Sequence, residues 1–131
     1  MSRILIIEDE KMLRDAFALL LTSVGHKIEL AENGRVGLKQ TEQARPDLII
    51  LDMLMPVMDG LQFLKAAAKL SDFSKVKILV MSNLSDPVKP ADIKKYNLAK
   101  PLLKSELSPV ELVKVVDKTL QRQPISSKSK G

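Results

Sequence analysis

Two short runs of consecutive Ile and Leu residues constrain the fold of this chain more than any other feature. They occupy residues 4–7 and 48–51, and an acidic residue follows each of them at once. An uninterrupted apolar run of this length is typical of a strand that is buried on both faces. Such strands lie in parallel sheets that helices cover on both sides, so the two runs predict an α/β domain.

The rest of the chain alternates between strand-like and helix-like patterns. Further strands are predicted at residues 28–31, 76–81 and 102–103, and helical patterns begin near residues 12, 36, 60, 90 and 109. The first helical pattern places Met12 among its apolar positions, and Asn33-Gly34 is a turn pair. Five strands alternating with five helices predict a doubly wound parallel sheet with helices on both faces.

Length and composition limit the class of protein. With 131 residues the chain suits one domain, which we expect at residues 1–121, followed by a disordered polar tail at 122–131. The absence of Cys excludes disulfides and thiolate zinc sites, and a single His excludes a multi-histidine metal centre. No apolar run is long enough to span a membrane, and no leader follows Met1, so the expected location is the cytoplasm.

Charge is distributed unevenly along the chain. Residues 1–74 hold 9 Lys and Arg against 11 Asp and Glu, whereas residues 75–131 hold 12 against 5. The basic half predicts either an acidic partner or a lysine-rich solvated surface. Direct nucleic-acid binding is the weaker alternative, because no recognisable binding module follows residue 121 and too few aromatic residues are present for a stacking surface.

Polar residues that follow the predicted strands indicate where the chemistry lies. Glu8 and Asp9 end the first strand, Asp52 the third, Ser82 the fourth and Lys104 the fifth. Ligands of doubly wound sheets bind beyond the carboxyl ends of the strands, so these side chains should meet. Converging carboxylates suit Mg²⁺ or Mn²⁺, and an added lysine and hydroxyl suit a phosphoryl-transfer site. Any one of these residues alone would more simply be a helix cap or a surface residue.

Five segments of the chain resemble the receiver domain of two-component response regulators. They are residues 4–10, 46–53, 55–60, 80–82 and 102–104, and the resemblance extends over about residues 3–121. It implies a flavodoxin-like sheet of strand order 2-1-3-4-5. It also implies a phosphorylation-dependent signalling switch that catalyses only its own phosphorylation and dephosphorylation and is not otherwise an enzyme.

The same resemblance implies a role for each site residue. Asp52 would accept a phosphoryl group from the phosphohistidine of a sensor kinase or phosphotransfer protein. The divalent cation would be held by acidic side chains and one backbone carbonyl, namely those of Glu8, Asp9, Asp52 and Met53. Lys104 would pair with Asp52 and then with a phosphoryl oxygen, and Ser82 would hydrogen-bond the phosphoryl group.

We expect the signal to leave the site through the surface of residues 83–104, to a downstream protein or a second copy of the domain. Here the chain departs from the family pattern. Pro101 stands where an aromatic residue is usual, and Ser105 stands where a proline is usual. A cis bond before serine would cost about 3–4 kcal/mol, so we expect a trans bond between Lys104 and Ser105. We further expect phosphorylation to change the order of residues 83–97. The alternative is an irregular helix that stays the same in both states.

Two other readings of the site remain. A small aspartyl-phosphate hydrolase would need a second acid two residues beyond Asp52, where this chain has Leu54. A pseudo-receiver that is never phosphorylated would lack an acid or the lysine, yet Glu8, Asp9 and Lys104 are all present. The sequence therefore favours the phosphorylated switch over both alternatives.

Overall fold

A computed structural model describes residues 2–121, and within that range five strands alternate with five α-helices. The strands are β1 (Arg3–Ile7), β2 (Lys27–Ala31), β3 (Leu48–Asp52), β4 (Lys77–Ser82) and β5 (Leu102–Leu103). The helices are α1 (Lys11–Ser23), α2 (Gly34–Gln43), α3 (Gly60–Ala67), α4 (Pro90–Lys95) and α5 (Pro109–Gln121). Short 3₁₀ turns lie at Phe73–Lys75 and Lys104–Glu106. The predicted tail at 122–131 falls outside the described residues.

The five strands form one parallel sheet in the order β2-β1-β3-β4-β5, which confirms the expected fold class and strand order. β1 and β3 are neighbours inside the sheet, in a register that pairs Ile4 with Leu48 and Ile7 with Leu51. Every residue of β3 is buried, as the apolar run at 48–51 predicts for all of them except Asp52.

Successive side chains of β1 and β3 point to opposite faces of the sheet and divide the core into two clusters. Leu5 and Ile49 belong to the cluster that includes α3 and the partly buried residues of α2 and α4. Ile4 and Ile50 belong to the cluster on the other face, with buried residues of α1 and α5. The sheet is therefore covered on both sides, and its carboxyl edge is left for a site.

Side chains near the chain's turns fix where the helices begin. Asn33 accepts a hydrogen bond from the backbone N–H of Val36 at 3.0 Å, so α2 begins at Gly34, two residues before the sequence pattern predicts. Asp59 forms a reciprocal capping box with Gln62 at the start of α3. Ser108 caps α5 by accepting from the N–H of Glu111 at 3.1 Å, as expected for Ser before Pro.

Three further details test the sequence predictions. Met12 is 87% exposed, so its inclusion among the apolar positions of the first helix does not indicate burial. The short fourth helix begins at Pro90, as predicted, and Asn97 after it has the left-handed φ of 53°. All peptide bonds among the described residues are trans, including the bond between Lys104 and Ser105. No helix within residues 2–121 has the length and apolar character needed to cross a membrane.

The close approach of α2 to the β3–α3 loop leads to a test of stability. A Cβ added at Gly34 would lie 2.6 Å from the backbone oxygen of Met58, which cannot move without shifting the loop. Gly34→Ala should therefore lower the free energy of unfolding by about 1–3 kcal/mol, despite alanine's better helix propensity. Urea denaturation measures the change, with Lys39→Ala on the exposed surface of α2 as the control. Equal midpoints for the two variants would contradict this packing.

Candidate functional site

The parallel sheet brings all of the predicted site residues to one edge. Glu8 and Asp9 follow β1, Asp52 and Ser82 are the last residues of β3 and β4, and Lys104 follows β5. The register pairs Asp52 with Met81 and Ser82 with Leu103, so the ends of these strands lie side by side. The strand ends thus carry the functional groups because parallel strands finish at the same edge.

The centre of this edge is a cluster of three carboxylates. One oxygen of each of Glu8, Asp9 and Asp52 lies within 4.8 Å of the others. The side chains of Glu8 and Asp52 are 0% and 1% exposed, whereas Asp9 is exposed. Three like charges at this distance repel one another, and burial strengthens the repulsion, so the cluster favours a cation.

Lys104 supplies part of that positive charge. Its Nζ lies 3.0 Å from Asp52 Oδ2 and 3.1 Å from Glu8 Oε1. Burial lowers the pKa of Lys104, but its hydrogen bond to Asp52 and its ion pair with Glu8 outweigh burial and raise the pKa above the usual value. The lysine is therefore a fixed cation in this site.

Glu8 is the carboxylate with the most perturbed environment. Burial is the main cause that raises the pKa of Glu8 to about 7, and repulsion from Asp52 raises this pKa further. The hydrogen bond from the backbone N–H of Glu10 and the contact with Lys104 both lower the pKa and offset part of the rise. Its buried Oε1 lies near Lys104 Nζ, yet it lacks a hydrogen bond of good geometry among the described residues. An incompletely satisfied, buried carboxylate oxygen beside two other acids is a suitable ligand for a hard divalent cation.

The backbone around Asp52 is held by the loop that follows it. Asp52 Oδ1 accepts a hydrogen bond from the N–H of Leu54 at 3.1 Å, which orients the carboxylate. The carbonyl of Met53 accepts from the N–H of Gly60 at 3.2 Å, and its second lone pair can still bind a cation. Leu54 is 52% exposed, and Val57 in the same loop is 65% exposed with the left-handed φ of 71°.

Two contacts of this site were missed by sequence reasoning. Glu10 Oε1 lies 3.6 Å from Lys104 Nζ, and Arg14 Nη1 donates to the backbone oxygen of Glu8 at 2.8 Å. The acidic run at residues 8–10 offered a signal for Glu10, since it continues past the two expected ligands. Nothing in the pattern of α1 distinguishes Arg14 from a solvated arginine.

Comparison with known proteins places this chain in a family. Residues 4–117 match the model of the response regulator receiver domain. The chemotaxis protein CheY4 of Vibrio cholerae has a similar structure, with a TM-score of 0.82 and 30% identity over 91% of this chain and 98% of that one. Protein PilH of Pseudomonas aeruginosa is 29% identical over 63% of this chain and 68% of its own length.

The chain belongs to the response regulator receiver domain family. It is a receiver domain of the two-component type, which functions as a phosphorylation-dependent signalling switch. The transcriptional regulatory protein AfsQ1 of Streptomyces coelicolor is 44% identical over 47% of this chain, but that segment is 28% of AfsQ1. The chain spans about a quarter to a third of the length of several curated relatives.

The raised pKa of Glu8 predicts a specific pH dependence of stability. Between its ordinary value of 4.5 and about 7, the folded protein holds a proton that the unfolded chain releases. The raised pKa of Glu8 therefore stabilises the fold fully below pH 4.5, and this stabilisation is lost as the pH rises through 7. In denaturant titrations of the metal-free protein, the free energy of unfolding should decline less steeply between pH 4.5 and 7 for Glu8→Gln than for wild type. Glu32→Gln, an exposed control, should keep the wild-type slope, and a wild-type slope in Glu8→Gln would contradict the assignment.

Proposed function

We propose that Asp52 is the phosphoacceptor of this receiver domain. The observation that carries the proposal is the position of its carboxylate, which Leu54 N–H fixes through Oδ1 and Lys104 fixes through Oδ2 at 3.0 Å. In the transfer, one Asp52 oxygen forms a bond to phosphorus while the bond between phosphorus and the donor's imidazole nitrogen breaks. The imidazole leaves with the electron pair, and no other covalent step is needed.

The proposed metal ligands are Glu8, Asp9 and Asp52 with the backbone carbonyl of Met53, and the proposed ion is Mg²⁺ or Mn²⁺. All four donors are oxygens, the ligand type that these ions prefer. When bound, the ion would offset negative charge on the phosphoryl oxygens. The clustering of three carboxylates and the incompletely satisfied Oε1 of Glu8 support this ligand set.

Lys104 and Ser82 are the proposed groups that respond to phosphorylation. Lys104 already contacts Asp52 and would move its contact to a phosphoryl oxygen, which keeps its charge paired. Ser82 is 2% exposed at the end of β4, where its hydroxyl would donate to the same group. Because these residues position and neutralise the phosphoryl group, the domain would catalyse its own phosphorylation and dephosphorylation.

The proposed phosphodonor is a sensor histidine kinase or a histidine-containing phosphotransfer protein, and the proposed recipient of the signal is a downstream protein or a second copy of the domain. Receiver domains as a class connect these two kinds of partner. The receiver domain itself is proposed to occupy residues 1–121. The family match and the described structure both lie inside that range.

Phosphorylation at Asp52 is tested by intact-mass measurement after incubation with a small phosphodonor and Mg²⁺. Wild type should gain the mass of one acid-labile phosphoryl group, and excess chelator should prevent the gain. Asp52→Asn should gain none, whereas Lys104→Ala should still bind Mg²⁺, because the lysine contacts the anion and not the cation. A phosphoryl group that persists in Asp52→Asn, or that forms fully in chelator, would disprove the proposal.

The signal is proposed to leave through residues 83–97 and the neighbouring surface up to residue 104. Helix α4 in this segment has six residues, none of them buried, and no side-chain cap at its start. Val88, Ile93 and Tyr96 attach the segment to the core through partly buried contacts. Few buried contacts make such a segment easy to reorder, and Pro101 has no aromatic side chain that could rotate instead.

Amide hydrogen exchange with and without beryllofluoride, a mimic of the phosphoryl group, tests this route. Protection across residues 83–97 should change together with protection near Asp52. Helix α2 contacts β1 and β2, near the opposite edge of the sheet from β5, so it provides the internal control and should keep its exchange rates. Changes that are confined to the neighbourhood of Asp52 would rule the route out.

A further inference from the structure

Glu10 is placed to act on the site without belonging to the proposed metal ligands. It precedes the first residue of α1, yet its side chain does not cap that helix. Its Oε1 instead lies 3.6 Å from Lys104 Nζ, and its backbone N–H donates to Glu8 Oε2 at 2.9 Å. Both its backbone and its side chain are therefore tied to the acidic site.

The exposure of the two side chains shows which side of the lysine Glu10 occupies. Glu10 is 66% exposed and Lys104 is 16% exposed, whereas Glu8 and Asp52 are almost fully buried. Glu10 therefore contacts Lys104 from the solvent side, and the two buried carboxylates contact it from within. Because Glu10 is well solvated, the raised pKa of Lys104 comes from Asp52 and Glu8 and not from Glu10.

An incoming phosphodonor must offer its oxygens to the same ammonium group. Three carboxylates surround Lys104, and Glu8 and Asp52 are proposed to turn to the cation when it binds. Glu10 would remain as a carboxylate that competes for Lys104 and repels an approaching anion.

We infer that Glu10 is a specificity-determining residue that disfavours small anionic phosphodonors in proportion to their negative charge. The inference rests on the proposed function of Asp52. With acetyl phosphate, the bond from phosphorus to the bridging oxygen breaks and acetate leaves with the electron pair. With phosphoramidate, the phosphorus–nitrogen bond breaks and the protonated nitrogen leaves as ammonia. Both donors form the same bond to an Asp52 oxygen, but acetyl phosphate arrives as a dianion and phosphoramidate with one net negative charge.

Three variants separate a specific effect of Glu10 from a general effect of charge. Glu10→Gln keeps the shape of the side chain and removes its charge, and Glu10→Asp keeps the charge. Glu32→Gln removes an exposed carboxylate that follows β2 at the same edge of the sheet. Glu32 is not one of the three acidic residues that form ion pairs with Lys104. The measurement is the phosphorylation rate of Asp52 as a function of donor concentration, in the presence of Mg²⁺, at low and high salt.

Glu10→Gln should raise the rate at limiting acetyl phosphate about three- to tenfold at low ionic strength, chiefly through a lower half-saturating concentration. The gain with phosphoramidate should be smaller, and salt should reduce both. Glu10→Asp and Glu32→Gln should resemble wild type. The side-chain nitrogen signal of Lys104 in the metal-free, donor-free protein provides an independent readout. Glu10→Gln should shift this signal in NMR spectra and Glu32→Gln should not.

Equal gains with both donors, equal effects of Glu10→Gln and Glu32→Gln, or an unmoved Lys104 signal would each overturn the inference while leaving phosphorylation of Asp52 intact. A wild-type protein that accepts no phosphoryl group from either donor would instead overturn the proposed function, and this inference with it.

Discussion

The contact of one ammonium group with two buried carboxylates is the interaction on which the rest of this site depends. Lys104 Nζ lies 3.0 Å from Asp52 and 3.1 Å from Glu8, and both acids are almost entirely removed from water. A buried carboxylate without a partner is strongly unfavourable, so two of them at one edge of a sheet require a counterion. Lys104 is that counterion while no metal is bound.

One lysine does not fully compensate the charge that the sheet assembles. Asp9 adds a third carboxylate and Glu10 a fourth. Burial, with repulsion from Asp52, raises the pKa of Glu8 to about 7. The residual negative charge explains why the same arrangement suits a divalent cation and, after it, a phosphoryl group that Lys104 can contact. The repulsion among these carboxylates destabilises the metal-free protein, and the same negative charge favours the proposed binding of a divalent cation.

The sequence predicted the elements whose pattern is local. The Ile- and Leu-rich runs identified β1 and β3. The polar residues at the strand ends assigned Asp52, Ser82 and Lys104 to one edge of the sheet, because parallel strands end at a common edge. The family resemblance supplied the strand order. Ser108 before Pro109 located the start of α5 because that cap is formed within four residues.

Features that depend on contacts between distant segments could not be read in this way. Met12 fits the helical pattern but lies on the solvent side of α1, since the position of the sheet decides which residues are covered. The start of α2 was misplaced because Asn33-Gly34 has both turn and cap chemistry, and the close approach of Met58 to Gly34 is set by tertiary packing. The contact of Glu10 with Lys104 joins residues 94 positions apart.

A double-mutant cycle on Lys104 and Asp52 tests most directly whether the lysine is the counterion that the site depends on. The free energy of unfolding is measured at pH 7 without divalent cations for wild type, Lys104→Met, Asp52→Asn and the double variant. Lys104→Met should lower the free energy of unfolding by about 3 kcal/mol in the wild-type background. The loss should be smaller when Asp52 is already Asn, because only Glu8 then remains as a buried partner of the lysine. Equal costs in the two backgrounds would contradict the account.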